Sequence, residues 1–299
     1  MQIVIVDSSR VVLRIIASLL EPRGHTAHVF TDSRAALAFL EATPAVRVLI
    51  TSLEVRPLTG LELCWSARLL AEERRPLHVI TMSSAHHVRN LAEALDSGAD
   101  DFIEKPPGAE ELYARLRAAE RMTTIQEQLI RLAETDPLTG LYNRRAFFAR
   151  AGAAERSVRD GRLSAILADI DHFKRINDGH GHDIGDLAIQ AVAEIVAAEG
   201  IAGRLGGEEF AVVLPGLGLA EAAAHAERLR QQVRALRVGA GAVALSCSFG
   251  VSTWDDACTG SDAVAALIKR ADVALYEAKA AGRDRVIVQA AAYPLAKAG

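Results

Sequence analysis

Arg204-Leu-Gly-Gly-Glu-Glu-Phe-Ala-Val-Val-Leu-Pro215 is the stretch on which the reading of this 299-residue chain turns. Gly206 and Gly207 stand between a short apolar run (Ile201 to Leu205) and a strand-like run (Phe210 to Leu214). Gly-Gly between strands predicts a tight hairpin with both glycines at the turn positions, because those positions need positive φ. Glu208 and Glu209 follow directly. Backbone without side chains lets a ligand approach, and two adjacent carboxylates can hold a hard cation such as Mg²⁺. Taken alone, the stretch is better read as a surface hairpin with solvated acids, so the rest of the chain has to decide.

Outward from the hairpin, the C-terminal half supplies further acids and cations. It opens with Asp136-Pro-Leu-Thr-Gly-Leu-Tyr-Asn-Arg-Arg-Ala-Phe147. Leu163 to Ala168 reads as an apolar strand ending in Asp169-Ile170-Asp171, with alternation placing both aspartates on one face and Ile170 on the other. Helices are expected from about Asp186 to Ala198, Ala220 to Leu236 and Asp262 to Ala281, and strands from Leu245 to Thr253 and Arg285 to Val288. This order suggests a central antiparallel sheet with helices on one side. Such a sheet can bring Asp169 and Glu208 together over a metal pair, as in metal-dependent phosphoryl and nucleotidyl transfer. Lys279 and Arg283, at i and i+4, would present two cations on one helix face to a polyphosphate.

With these motifs, Asp136 to Val288 resembles the GGDEF domain of diguanylate cyclases in its Gly-Gly-Glu-Glu-Phe form. The resemblance implies that two GTP are condensed into cyclic di-GMP with release of two pyrophosphates, across a homodimer. It implies Mg²⁺, two per active site, or Mn²⁺. Asp169, the main-chain carbonyl of Ile170, and Glu208 resemble the metal ligands. The resemblance also implies that Glu208 takes the proton of the ribose 3′-hydroxyl, and Glu209 resembles the second essential acid of the signature. Asn177 and Asp186 correspond to the pair that bonds the guanine edge. Lys174, Lys279 and Arg283 match the phosphate-binding cations, with Phe173 also in the substrate site. Asp171 is read as structural. His180 stands at a usually aromatic position and Asp284 at a usual asparagine; neither change removes a catalytic group. The Arg-x-x-Asp motif of the family's inhibitory product site is absent, its window here being Ala197-Ala-Glu-Gly200. His172, His180 and His182 sit in sequence that matches the nucleotide loop and are not read as zinc ligands.

The N-terminal half alternates strands and helices: strands at Gln2 to Val6, Ala27 to Phe30, Val46 to Thr51, Leu77 to Met82 and Asp101 to Ile103, helices at Val11 to Leu20 and Arg34 to Glu41. That alternation predicts a doubly wound parallel sheet, with Asp7, Ser52, Ser83 and Lys105 converging at the carboxyl ends of strands. Ile5-Val-Asp7, Gly60-Leu-Glu-Leu63, Ser83, Ser97-Gly-Ala-Asp-Asp-Phe102 and Lys105-Pro106 make roughly the first 120 residues resemble the flavodoxin-like receiver domain of bacterial response regulators. Two departures matter. Ser8 replaces the second acid after the first strand, and Ser52 stands where the phospho-accepting aspartate belongs. A serine cannot form an acyl phosphate. Asp7 and Lys105 alone sum to zero charge, so Mg²⁺ loses its ligands and its electrostatic reason to bind. We read a pseudo-receiver in which Asp7 pairs with Lys105 and Ser52 bonds to either. His86 and His87 read as exposed loop residues, and Cys64 and Trp65 as packing residues.

Between the halves, Leu112, Leu116, Ala119, Met122, Ile125, Leu129 and Leu132 approximate a heptad seam with one irregular step near Met122. A single helix from Glu110 to Glu134 would span on the order of 35 Å and suits a parallel dimer stalk. The expected organisation is a receiver-like domain at 1–120, a helical linker at 121–134 and an α+β cyclase domain at 135–299. The net charge of −4 gives no sign of a nucleic-acid-binding surface. Scattered Cys64, Cys247 and Cys258 suggest reduced thiols in a cytoplasmic protein. The run Ile3 to Val6 is too short for a signal-peptide core, and no apolar stretch is long enough to insert in a bilayer, so a membrane signal would arrive through a regulatory protein partner. The competing reading is a catalytically weak GTP- or cyclic di-GMP-binding protein that regulates a partner.

Overall fold

β1 (Gln2–Val6) is buried along most of its length, and its side chains divide between two helical layers. Ile3 and Ile5 pack with one set of helices and Val4 and Val6 with the other, the alternation of a strand covered on both faces. In this computed structural model, residues 1–72, 75–84, 88–158, 162–240, 243–254 and 263–289 are described. After β1 come α1 (Arg10–Leu20), β2 (Thr26–Phe30), α2 (Ser33–Ala42), β3 (Val46–Ser52), α3 (Gly60–Glu72), β4 (His78–Ser83), α4 (Val88–Asp96), β5 (Asp101–Glu104) and α5 (Ala109–Glu134). The strands form a parallel sheet in the order β2-β1-β3-β4-β5. α1 and α5 cover the Ile3/Ile5 face, and α2, α3 and α4 cover the other. Ser9 caps α1 by accepting from the Val12 amide, and Asp32 caps α2 by accepting from Ala35.

Two sequence expectations need correction here. Cys64 is buried, but Trp65 is 61% exposed. Neighbouring helix positions point about 100° apart, and α3 turns Leu63, Cys64 and Ala67 inward, which leaves Trp65 outside. The heptad-like seam of α5 is also two surfaces. Leu112, Leu116 and Ala119 belong to the core beneath β1 and β3, whereas Met122, Ile125, Leu129 and Leu132 are exposed. The change falls at the irregular step, where Thr123 takes the inward slot and returns its hydroxyl to the Ala119 carbonyl. His86 and His87 lie outside the described residues, as does Cys258.

The chain divides into two compact units, the first Met1–Arg131 and the second from Leu132 onward. The second contains β6 (Tyr142–Asn143), α6 (Arg144–Ser157), β7 (Leu163–Ile170), α7 (Phe173–His180), α8 (His182–Val196), β8 (Ile201–Gly206), β9 (Glu209–Pro215), α9 (Leu219–Ala235), β10 (Arg237–Val238), β11 (Val243–Ala244), β12 (Cys247–Thr253), α10 (Ala263–Ala280) and β13 (Val286–Gln289). Its main sheet runs β13-β12-β7-β9-β8-β6. The centre is antiparallel as expected, but β13 and β6 add at the edges in parallel. The expectation of helices on one side is overturned. Ile166, Ala168, Ile170, Phe210 and Val212 pack with α8 and α9, while Ala165, Leu167, Ala211 and Val213 pack with α6 and α10. An apolar run buried on both faces, such as β7, does not disclose from sequence how many layers cover it. Asp262, the expected first residue of α10, lies outside the described residues. Among the described residues, no helix is long and apolar enough to cross a membrane.

Close approach of α10 to β12 depends on Gly250. A Cβ there would run into the Ala271 carbonyl oxygen and the Leu275 amide, both helix backbone that cannot swing aside. Gly250→Ala is therefore expected to lower the urea midpoint, by about 1–3 kcal/mol of stability. Gly152→Ala, whose Cβ would meet the end of the Arg156 side chain at 3.6 Å, is expected to be neutral or stabilising by up to about 1 kcal/mol. Equal midpoints for the two variants would refute this account of the α10 contact.

Candidate active site

The hairpin of the opening stretch turns one residue later than its glycines suggest. Gly206 is the last residue of β8 and pairs with Glu209 of β9, so the two turn residues are Gly207 and Glu208. Gly207 takes φ +47°. A register irregularity between Arg204 and Gly206 accounts for the slip. As a result the two adjacent acids have different settings. Glu208 rides on the turn, while Glu209 is a strand residue directly opposite Asp169 of β7.

Arg204 fixes this turn, a role the sequence did not disclose although the residue opens the decisive stretch. Its Nε and Nη2 donate to the Gly207 carbonyl at 2.8 and 2.6 Å, and its Nη1 donates to Asp136 Oδ1 at 3.0 Å. Asp136 also accepts from the Thr139 amide and hydroxyl. The Asp-Pro-Leu-Thr segment is thereby tied to the turn that carries Glu208. The only available signal was the pairing of a lone arginine and aspartate 68 residues apart, which no local pattern reveals.

Asp169 is the penultimate residue of the fully buried β7 and is itself 7% exposed. Burial pushes its carboxyl up to about 6; the charges of Glu208 and Glu209 add to the rise, and Lys279 opposes it. Lys279, from α10, holds Asp169 Oδ2 at 2.7 Å. Asp169, Glu208 and Glu209 offer oxygen donors only, the donor chemistry of Mg²⁺ or Mn²⁺. They do not form a ready-made cluster: among the described residues no group of three or more His, Cys, Asp or Glu is placed to hold a metal. The Ile170 amide donates to the Glu208 carbonyl at 3.4 Å, so the turn backbone lies against the end of β7. Asp171, two residues on, is engaged by the fold. It accepts from Ser246 Oγ at 2.8 Å, Ser248 Oγ at 2.6 Å and the Asp284 amide at 3.1 Å.

The segment after Asp171, expected as a loop, is the helix α7, followed at once by α8. α8 starts at His182 rather than Asp186. Gly185 lets the two helices meet, since a Cβ there would collide with Asn177 Oδ1. That oxygen is buried without a hydrogen-bond partner. Asp186 follows Gly185 in α8 and is exposed. Lys174 is exposed on α7, and Phe173 packs partly against the core.

Lys279 and Arg283 do not share a helix face. α10 ends at Ala280, and the chain enters left-handed backbone at Gly282 (φ +112°), Arg283 (+64°) and Asp284 (+44°). The Arg283 amide returns to the Ala278 carbonyl at 3.0 Å, a helix-ending turn that glycine promotes.

In the first unit, Asp7 is fully buried and pairs with Lys105 at 2.9 Å. Ser52 does not bond to either. Its Oγ accepts from the Glu54 amide at 3.1 Å, a local turn bond that wins over a longer reach. Glu54 brings a carboxylate to 3.9 Å from Lys105 and was missed in the sequence charge count. Ser8 is exposed, and Ser83 is buried at the end of β4.

The second unit thus sets Asp169 opposite Glu209 and beside the turn that carries Glu208, and a doubly wound parallel-sheet unit precedes it. The chain belongs to the family described as diguanylate cyclase, GGDEF domain, which matches residues 133–285; residues 3–117 match the response regulator receiver domain. It is 35% identical over 270 residues to the response regulator PleD of Caulobacter vibrioides, covering 85% of this chain and 59% of that one. It is 38% identical over 182 residues to the diguanylate cyclase VdcA of Vibrio cholerae, covering 56% of this chain and 51% of that one. The chain thus spans little more than half the length of these relatives. A solved structure of the coiled coil and GGDEF domain of DgcB from Caulobacter crescentus, in complex with c-di-GMP, is similar with a TM-score of 0.52 and 32% identity, covering 60% of this chain and 99% of that one.

The raised carboxyl of Asp169 gives a pH test. Below about pH 6 the group is mostly neutral, and raising the pH through that value supplies the anion a cation needs. Mn²⁺ affinity, followed by electron paramagnetic resonance, should rise about fivefold between about pH 5 and 6 and level off above about pH 7. Asp169→Asn should remove the step. An affinity independent of pH across this range would contradict the assignment.

Proposed function

We propose that this chain is a diguanylate cyclase acting as a homodimer: two GTP give cyclic di-GMP and two pyrophosphates. The observation that carries the reading is the pairing of Asp169 with Glu209 across β7 and β9, with Glu208 on the adjoining turn and Lys279 on Asp169. Each domain would hold one GTP, and two copies would face each other so that each 3′-oxygen attacks the other nucleotide's α-phosphorus as pyrophosphate leaves. Holding both nucleotides in place replaces a bimolecular encounter with an oriented one.

Asn177 and Asp186 would receive the N1–H and N2–H donors of guanine; the buried, unpartnered Asn177 Oδ1 supports this, because a buried acceptor is costly without a donor. Lys174, Lys279 and Arg283 would bind the triphosphate. Phe173 would border the base. Glu208 would accept the 3′-hydroxyl proton, held in place through the Arg204 contact with Gly207. Asp169, the Ile170 carbonyl and Glu208 would hold Mg²⁺ or Mn²⁺, with Glu209 close by; the cation supplies charge neutralisation and polarises the attacked phosphate. Lys279 then has two partners to choose between, Asp169 and the triphosphate.

The first unit acts as a pseudo-receiver in this reading. Asp7 and Lys105 already form an ion pair, and Ser52 is engaged with its own turn. Residues 121–134 would serve as the linker, whose exposed Met122, Ile125 and Leu129 suit pairing with a second copy.

Two measurements test this function. Wild-type protein incubated with GTP and Mg²⁺ should form cyclic di-GMP, and Glu208→Gln should lower turnover by about 10³-fold or more while leaving the fold intact. Failure of the wild type to form product at any protein concentration would leave the regulatory, non-catalytic reading. Separately, beryllofluoride with Mg²⁺ should change neither turnover nor dimer fraction by light scattering; a marked rise in either would overturn the pseudo-receiver.

A further inference from the structure

Arg283 sits in a turn that the backbone does not favour by itself. Arg283 and Asp284 are consecutive non-glycine residues in the left-handed region, where L-residues meet their own carbonyls. Three groups hold the turn. Asp171, pinned by two serines, accepts from the Asp284 amide. The Asp284 carboxylate takes Arg230 Nη1 at 2.7 Å and lies 3.3 Å from Arg234 Nε. Arg230 is in turn oriented by Glu227, donating from Nε and Nη2 at 2.9 and 2.8 Å in a two-pronged contact.

The charges explain why such a brace is required. Asp284 places an anion one residue from a cation expected to bind a triphosphate. An uncompensated carboxylate there would repel the substrate and compete for the Arg283 guanidinium. Arg230 is 22% exposed and Asp284 30%, so the pair is partly shielded from solvent. Among the described residues nothing pairs with the Arg283 guanidinium, whereas the Asp284 carboxylate is claimed by Arg230 and Arg234. A neutral asparagine could fill the same backbone position without any of this.

We propose that Arg230, on α9, is a positioning residue for triphosphate binding: it neutralises Asp284 and so keeps Arg283 available to the substrate. The proposal rests on the reading of Arg283 as a phosphate-binding residue. Arg230 itself need not touch the nucleotide.

The test is a double-mutant cycle on the full chain, read by calorimetric titration of α,β-methylene GTP with Mg²⁺. This probe cannot release pyrophosphate, so binding is measured apart from turnover. Arg230→Gln should weaken binding about tenfold, because Asp284 then keeps only Arg234, at 3.3 Å. In the Asp284→Asn background the same change should cost less than about threefold, because the acid to be neutralised is gone. Steady-state rates with GTP should show the loss in KM more than in kcat. A wild-type affinity for Arg230→Gln would overturn the proposal. So would a tenfold loss that persists with Asp284→Asn, since Arg230 would then act on the nucleotide directly. If Arg230→Gln does not fold, the double variant, from which the Asp284 carboxylate is also gone, decides the matter: affinity near that of Asp284→Asn supports the proposal and a tenfold loss refutes it. A wild type that binds the probe but forms no cyclic di-GMP would refute the cyclase reading while leaving this test valid; a wild type that does not bind it refutes both.

Discussion

The burial of β7 on both faces is the constraint from which the second unit follows. All eight of its residues are buried, between α8 and α9 on one side and α6 and α10 on the other. Such a strand can carry a charge only near its end, and Asp169 is its penultimate residue. The same burial raises the Asp169 carboxyl, and the acids on the neighbouring hairpin raise it further. A site that accumulates carboxylates at low dielectric needs a countercharge. α10 supplies Lys279, and it lies close enough because Gly250 removes the side chain that would hold it off β12.

Two aspartates separated by one residue illustrate how partners decide roles. Asp169 meets a lysine and two glutamates near the sheet end. Asp171 meets two serine hydroxyls and a backbone amide, all fixed parts of the fold. These contacts hold the turn after α10 that carries Arg283. Arg204 does the corresponding work at the hairpin, linking Gly207 to Asp136. The site is thus braced from two sides by ionic contacts that lie outside the signature acids.

In the first unit, a single buried carboxylate meets a single lysine. Ser8 is exposed and Ser52 bonds to its own turn, so Asp7 and Lys105 face each other directly. Glu54 modifies this picture from the rim without entering the buried pair.

Much of this was legible in the sequence, for local reasons. Strand and helix order in both units follows from apolar periodicity, and the signature residues are close neighbours in sequence. The apolar run from Leu163 to Ala168 was enough to place Asp169 near a strand end. What the sequence left open was decided by contacts between distant segments. The hairpin slipped by one residue because the β8–β9 ladder, not glycine preference, sets the turn. Helices cover both sheet faces because the opposing walls come from α6 and α10, far apart in the chain. Lys279 and Arg283 left a common face because the helix ended between them. Trp65 turned outward because its neighbour Cys64 took the core. Arg204, Asp136, Arg230 and Asp284 gain their meaning only as pairs, and a pair 54 or 68 residues apart exists only once the sheet has formed. Local chemistry fixes which residues can act; long-range packing fixes which of them meet.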